Sequence, residues 1–139
     1  MSQHPSHQTI LIVDDEPINI RALELVLGGE HNLVFATSGE MALEMAQSDP
    51  QPDLILMDIV MPGLDGFEVC DLLKKNVKTR NIPVVFLTAR WETCEEAKGL
   101  ELGAVDYIRK PFSPPIIRAR IRNHLELKKN RDLLENLST

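Results

Sequence analysis

Short β-branched runs and longer stretches of helical period alternate along the chain. The runs TILIV, NLVFAT, DLILM, IPVVFLT and VDYI predict strands near residues 9–13, 32–37, 53–57, 82–88 and 105–108. Between them, apolar positions recur at helical spacing and predict helices over 17–28, 39–48, 66–76, 91–102 and from 114 onward. Several boundaries carry their own signals. Pro17 follows an acidic run as a favourable first-turn residue, Ser38 stands at a cap position with Met41 its third residue on, and Gly103 closes the fourth helix. Five βα units result.

Such alternation implies a parallel sheet covered by helices on both faces, because parallel neighbours need crossover connections. The predicted fold class is therefore α/β, a doubly wound five-stranded parallel sheet. Strands one, three and four are the most continuously apolar, as strands buried on both faces are, whereas NLVFATS and VDYIRK are more polar. The predicted order is 2-1-3-4-5, with a site at the carboxyl ends of strands one and three, beside the switch point. The last helix is unusual. IIRARIRNHLELKKNRDLLENL runs more than twenty residues without Gly or Pro, against about 11 to 12 for a typical helix, and is expected to project. Leu127, Leu134 and Leu137 hint at a heptad seam that Asn130 and Arg131 interrupt. The expected organisation is a flexible tail over 1–8, a domain over 9–126 and a projecting helix over 127–139.

Composition narrows the function classes. A chain of 139 residues with 43% hydrophobic and 26% charged residues fits one globular domain. No apolar run approaches the roughly 20 residues of a membrane helix, and MSQHPSHQ lacks the basic start and apolar stretch of a secretory signal. A cytoplasmic setting with no membrane partner is expected. Cys70 and Cys94 each fall in a predicted amphipathic helix and form no CxxC pair, which favours reduced, partly buried thiols over a disulfide or metal site. His4 and His7, in a loose polar tail, would bind metal only weakly. The net charge of −6 is uneven: residues 1–115 carry 9 Lys/Arg against 18 Asp/Glu, a net of −9, and residues 116–139 carry 6 against 3, a net of +3. An acidic body argues against direct nucleic-acid binding, and the basic end reads as a solvated helix face.

The candidate chemistry stands at the strand ends. Asp14 and Asp15 follow ILIV, Asp58 follows LILM, Thr88 ends VVFLT, and Lys110 lies just beyond VDYI. Three carboxylates brought to one sheet edge raise the cost of ionising one another unless a hard cation or an ammonium sits among them. Lys110 is the candidate ammonium. Singly, each residue has a plain alternative: Asp14 and Asp15 as helix-start acids, Asp58 as a loop acid, Thr88 as a cap, Lys110 as solvent-exposed. Together they mark the ends of strands one, three, four and five.

The stretches LIVDDEP, LILMDIVMPGLDGFEV, VVFLTAR and GLELGAVDYIRKPF, in this order and spacing, resemble the response-regulator receiver domain of two-component phosphorelay signalling, over residues 9 to about 126. The resemblance implies a flavodoxin-like fold with Asp58 as phosphoacceptor, taking its phosphoryl group from a histidine kinase, a histidine phosphotransfer protein or a small phosphodonor. A carboxylate ionised at neutral pH is a competent nucleophile without a general base, and its acyl phosphate is labile enough to reset. It further implies Mg2+, held directly by Asp15, Asp58 and the main-chain carbonyl of Val60 and through water by Asp14. That set suits octahedral oxygen ligation. Lys110 would pair with one phosphoryl oxygen and the Thr88 hydroxyl with another, the latter only in the modified state. Tyr107 is the implied reporter, its ring turning inward as Thr88 moves, on a face built by the fourth helix, fifth strand and fifth helix. A cis peptide is implied between Lys110 and Pro111.

Val60, two residues after Asp58, and Arg90, two after Thr88, occupy positions that in this family flank the hydrolytic water and tune phosphate lifetime. Val60 offers no hydrogen bond, which predicts slow dephosphorylation. Trp91, the only tryptophan, falls three residues after Thr88, where its fluorescence would report on the site. Three other readings compete. A haloacid-dehalogenase-type phosphohydrolase wants an aspartate where Val60 stands. A flavin module would bring its phosphate to an acidic pocket with no phosphate loop. A phosphorylation-independent pseudo-receiver is disfavoured by the intact Asp14, Asp15, Asp58, Thr88 and Lys110. The resemblance thus implies a signalling domain that assists its own phosphorylation and dephosphorylation, rather than an enzyme. Its output would be a further domain of a longer chain or a separate effector. HLELKKNRDLLENL is similar to connectors that lead into cyclic-dinucleotide synthesis or degradation domains, and a phosphorylation-linked homodimer through the projecting helix is a further expectation.

Overall fold

The computed structural model describes residues 8–89 and 93–138. Strands β1 (Thr9–Val13), β2 (Asn32–Ala36), β3 (Leu54–Met57), β4 (Val84–Thr88) and β5 (Asp106–Arg109) alternate with helices α1 (Pro17–Leu27), α2 (Gly39–Gln47), α3 (Gly66–Lys75), α4 (Thr93–Glu101) and α5 (Pro114–Ser138). All paired strands are parallel and their order is β2-β1-β3-β4-β5, as the polarity of the strands predicts. Each predicted element forms, and the ends that fall among the described residues agree to within two residues, while the predicted start of the fourth helix at 91–92 lies outside them.

Successive residues of a strand point to opposite faces, so the three central strands feed two cores. Leu11, Ile55, Met57 and Phe86 pack toward one face with Ala42, Val69 and Leu73 from α2 and α3. Ile10, Ile12, Leu56 and Val85 pack toward the other with Leu23, Leu27, Ile117 and Ile121 from α1 and α5. Local signals start and stop the helices. The Ser38 hydroxyl accepts the Met41 N–H at 3.1 Å, and Gly103, at φ +108, donates its N–H to the Leu100 carbonyl. A reciprocal cap also opens α3: the Glu68 N–H donates to Asp65 and the Asp65 N–H to Glu68, both at 2.9 Å. Cys70 is a fully buried free thiol that burial pushes up to about 11; a thiol held protonated in this way is unreactive. The side chain of Cys94 lies outside the described residues, as do His4 and His7.

Helix α5 divides into two parts. Ile117, Ile121 and Leu125 are buried against the sheet, whereas Leu127, Leu133, Leu134 and Leu137 are exposed. Its root is fastened by Arg122 to Glu30 at 3.2 Å and by His124 to Asp106 at 3.0 Å, and farther along Arg131 donates to the Asn81 carbonyl at 3.3 Å. Gln8, which the sequence pattern assigns to the tail, donates its side-chain amide to the Leu125 carbonyl at 3.1 Å. No described helix is long and apolar enough to cross a membrane.

One glycine fixes where the functional loop can lie. The first residue of α3, Gly66, donates its N–H to the Ile59 carbonyl at 2.8 Å. A Cβ there would stand 2.5 Å from the Asp58 carbonyl oxygen and 2.7 Å from the Ile59 Cα. Both contacts are to backbone, which cannot swing aside. Gly66→Ala is therefore expected to destabilise the fold by about 1 to 3 kcal/mol, and urea denaturation measures it. An unchanged midpoint would contradict the close approach.

Candidate functional site

Three of the site residues lie one position beyond their strands and are still held by a ladder-like backbone bond. The Asp14 N–H donates to the Ala36 carbonyl at 3.1 Å, the Asp58 N–H to Val13 at 3.0 Å, and the Lys110 N–H to Thr88 at 2.9 Å. The sheet register thus places all three residues at the carboxyl edge, beside one cleft. That cleft is lined by Asp15, Asp58, Val60, Thr88, Ala89 and Lys110, among others.

Lys110 joins the two innermost acids. Its Nζ stands 3.2 Å from Asp14 Oδ2 and 3.3 Å from Asp58 Oδ2, with Asp14 2% and Asp58 8% exposed. The second oxygen of each aspartate is held from its own side. Asp14 Oδ1 accepts the Glu16 N–H at 2.9 Å and the Asn19 side-chain amide at 3.4 Å. Asp58 Oδ1 accepts the Ile59 N–H at 2.7 Å and the Val60 N–H at 3.4 Å. Buried carboxylates persist where hydrogen bonds and an opposite charge replace lost water, and both replacements are present here.

Carboxylate oxygens of the buried Asp14 and the more open Asp15 and Glu16 lie within 4.8 Å of one another. A donor set of oxygens alone, without thiol or imidazole, fits a hard divalent cation such as Mg2+. The sequence pattern names Asp14 and Asp15 for this purpose but leaves out Glu16, which reads as part of a helix start, and Asn19, whose only signal is its place in the first turn of α1. Thr88 is fully buried and lines the cleft. Val60, 53% exposed, sits at the rim. The Tyr107 ring is buried, edge-on to Phe86 with centroids 6.1 Å apart, and Phe86 packs in turn on Phe67 at 5.4 Å. Phe86 pairs with Tyr107 across the β4·β5 ladder, two residues before Thr88 pairs with Arg109. The Lys110–Pro111 peptide is cis, as expected, and so is Asp49–Pro50. Arg90 and Trp91 lie outside the described residues.

The family model of the response regulator receiver domain matches residues 10–122. The chain belongs to the response-regulator receiver family. Among curated relatives it is 45% identical over 131 residues to a probable cyclic di-GMP phosphodiesterase of Vibrio cholerae, covering 94% of this chain and 30% of that protein. It is also 45% identical over 120 residues to response regulator PleD of Caulobacter vibrioides, covering 86% of this chain and 26% of that protein. The chain thus spans less than a third of either relative. Among solved structures, a putative response regulator from Chloroflexus aurantiacus matches with a TM-score of 0.80 and 37% identity, over 86% of this chain and 98% of that one. The chemotaxis protein CheY4 of Vibrio cholerae matches with 0.76 and 25%, over 84% and 97%.

Membership settles the class of activity. The receiver is a phosphoacceptor switch of two-component signalling and a signalling module; receivers exchange phosphoryl groups with histidine kinases or phosphotransfer proteins and act on output domains. Receivers typically bind Mg2+ at an acidic pocket, and a cluster of Asp14, Asp15 and Glu16 is present here. The phosphohydrolase reading gives way to this assignment.

Proposed function

We propose that Asp58 accepts the phosphoryl group through Oδ2, and that Lys110 registers its arrival. The observation that carries this reading is the orientation of the Asp58 carboxylate. Oδ1 is engaged by two backbone N–H groups, while Oδ2 faces Lys110 across the cleft. In transfer, the Oδ2–P bond forms as the P–N bond of a partner's phosphohistidine breaks, and the imidazole leaves on the partner. An ionised carboxylate needs no proton removed to attack. Lys110, already shared between Asp14 and Asp58, then pairs with a phosphoryl oxygen, and the Thr88 hydroxyl donates to another. Asp15, Asp58 and the Val60 carbonyl would hold Mg2+ directly, with Asp14 acting through water and Glu16 at the mouth. When bound, Mg2+ neutralises charge on the transferring group.

The switch runs along β4 and β5. The Tyr107 ring is already inward against Phe86 without phosphate, so the Thr88–phosphate contact would hold that position rather than create it. Val60, apolar at the rim, withholds a hydrogen bond from the water that would hydrolyse the acyl phosphate, and Arg90 is the second position proposed to tune lifetime. An adjoining cleft lined by Asn19, Ala22, Leu23, Ala89, Lys110, Pro111 and Phe112 suits a helix of the kinase or phosphotransfer protein. The match to the Vibrio phosphodiesterase covers 94% of the chain and so runs beyond residue 122 into the α5 extension. This supports residues 127–139 as a connector to an output domain of cyclic-dinucleotide turnover, in the cytoplasm.

Incubation with a small phosphodonor and Mg2+ should add one phosphoryl mass to the wild type and none to Asp58→Asn. A fully phosphorylated Asp58→Asn protein would overturn the assignment. Val60→Asn should speed phospho-aspartate decay by about tenfold, the worth of one well-placed hydrogen bond in the transition state. Equal decay in the two proteins would remove Val60 from the account.

A further inference from the structure

At the amino edge of the sheet, the outer half of α5 passes the turn between α3 and β4. Leu125, the last buried position among the described residues of α5, lies level with the start of β1, since its carbonyl accepts the Gln8 side-chain amide at 3.1 Å. Arg131 stands about 9 Å farther along the helix axis and donates to the Asn81 carbonyl at 3.3 Å. The two neighbouring carbonyls are taken by another cation. Lys74 Nζ donates to the Arg80 carbonyl at 3.1 Å and to the Ile82 carbonyl at 2.8 Å. Three successive carbonyl groups thus receive charge-assisted bonds from two cations, one in the last turn of α3 and one on α5.

Lys74 is fixed in this role. Its stem lies against Gly103 at the end of α4, where a Cβ would stand 3.1 Å from Lys74 Cγ. Burial lowers the Lys74 pKa, and repulsion from Arg131 lowers it further, so the two cations are neighbours held together by the carbonyls between them. The turn is also bonded to α3. The Thr79 hydroxyl donates to the Leu73 carbonyl at 2.7 Å, and the Arg80 N–H to the Asn76 carbonyl at 2.9 Å. At its other end α3 begins at Gly66, where a Cβ would stand 2.5 Å from the Asp58 carbonyl oxygen. One helix of ten residues, about 15 Å long, therefore has the backbone of Asp58 at one end and the support of Asn81 at the other.

We propose that the Arg131–Asn81 contact is a latch on the outer half of α5, and that α3 releases it when the loop after Asp58 is drawn toward a bound cation and phosphoryl group. The release rests on the phosphoacceptor reading of Asp58. Because α3 runs from the carboxyl edge to the amino edge, a pull on Gly66 toward the cleft carries Asn81 the same way. Arg131 lies beyond the amino edge, so the two part. A shift of about 1 Å takes a 3.3 Å bond outside hydrogen-bond geometry, and a single exposed bond is weak enough to open and close. The two states are Arg131 on Asn81 and Arg131 in water. The outer half of α5 would then receive the signal through α3, beside any change at Tyr107.

Hydrogen exchange read by mass spectrometry tests this on the 139-residue chain, with residues 127–137 as reporter and β3 as the reference for an intact core. Without phosphodonor, Arg131→Met and Lys74→Met should each speed exchange of the reporter about threefold, since methionine keeps the helix propensity of the residue it replaces. In the wild type, Mg2+ with beryllofluoride as phosphoryl mimic should slow exchange over 59–65 and speed the reporter by a similar factor, about threefold. In Arg131→Met the change over 59–65 should remain and the reporter should respond no further. An unaffected reporter in either variant without phosphodonor would overturn the latch. A wild-type reporter that ignores beryllofluoride while 59–65 responds, or one that responds equally in Arg131→Met, would overturn its release by α3. No change over 59–65 would remove the phosphoacceptor reading and the release with it, while the two variants still decide the latch.

Discussion

One ammonium group, the Nζ of Lys110, stands 3.2 Å from Asp14 and 3.3 Å from Asp58, and the arrangement of the whole carboxyl edge follows from it. Two nearly buried carboxylates at one strand edge would repel each other and lose their hydration; removing the cation from such a group leaves an uncompensated charge that costs several kcal/mol. The local backbone bonds to Asp14 Oδ1 and Asp58 Oδ1 satisfy half of each carboxylate. Lys110 satisfies the other half. A site built this way rests in a balanced state, yet its lysine can be drawn to a new anion when a phosphoryl group arrives.

That balance depends on the sheet more than on the loops. Asp14, Asp58 and Lys110 are each tied to a neighbouring strand by one backbone bond beyond the regular ladder, so their relative positions are set by register. Gly66 lets α3 press against the Asp58 carbonyl, which limits how far the loop after β3 can wander. Tyr107 and Thr88 share the β4·β5 ladder, where Phe86 pairs with Tyr107 and Thr88 with Arg109.

Much of this was legible before any coordinates. Strands buried on both faces must be continuously apolar, which marked β1, β3 and β4 and so the strand order; functional residues of parallel sheets gather at carboxyl ends, which marked Asp14, Asp15, Asp58, Thr88 and Lys110. What escaped the sequence depends on three-dimensional neighbours. Glu16 and Asn19 become part of the site only because α1 starts beneath Asp14. Gly66 looks like any helix-start glycine until the Asp58 carbonyl is placed 2.5 Å from its missing Cβ. The reciprocal cap of Asp65 and Glu68 rests on local spacing alone, an acid three residues before a glutamate at a helix start. The two sides of α5 are separated only by the structure, through the burial of Ile117, Ile121 and Leu125.

If Lys110 and a divalent cation compensate the same carboxylates, each should strengthen the consequences of losing the other. Urea denaturation of wild type and Lys110→Met, with and without Mg2+, reads this coupling through ligand-linked stability. The variant should be less stable than wild type without Mg2+, and Mg2+ should stabilise it by more than it stabilises the wild type. An equal or smaller Mg2+ effect in Lys110→Met would contradict the account.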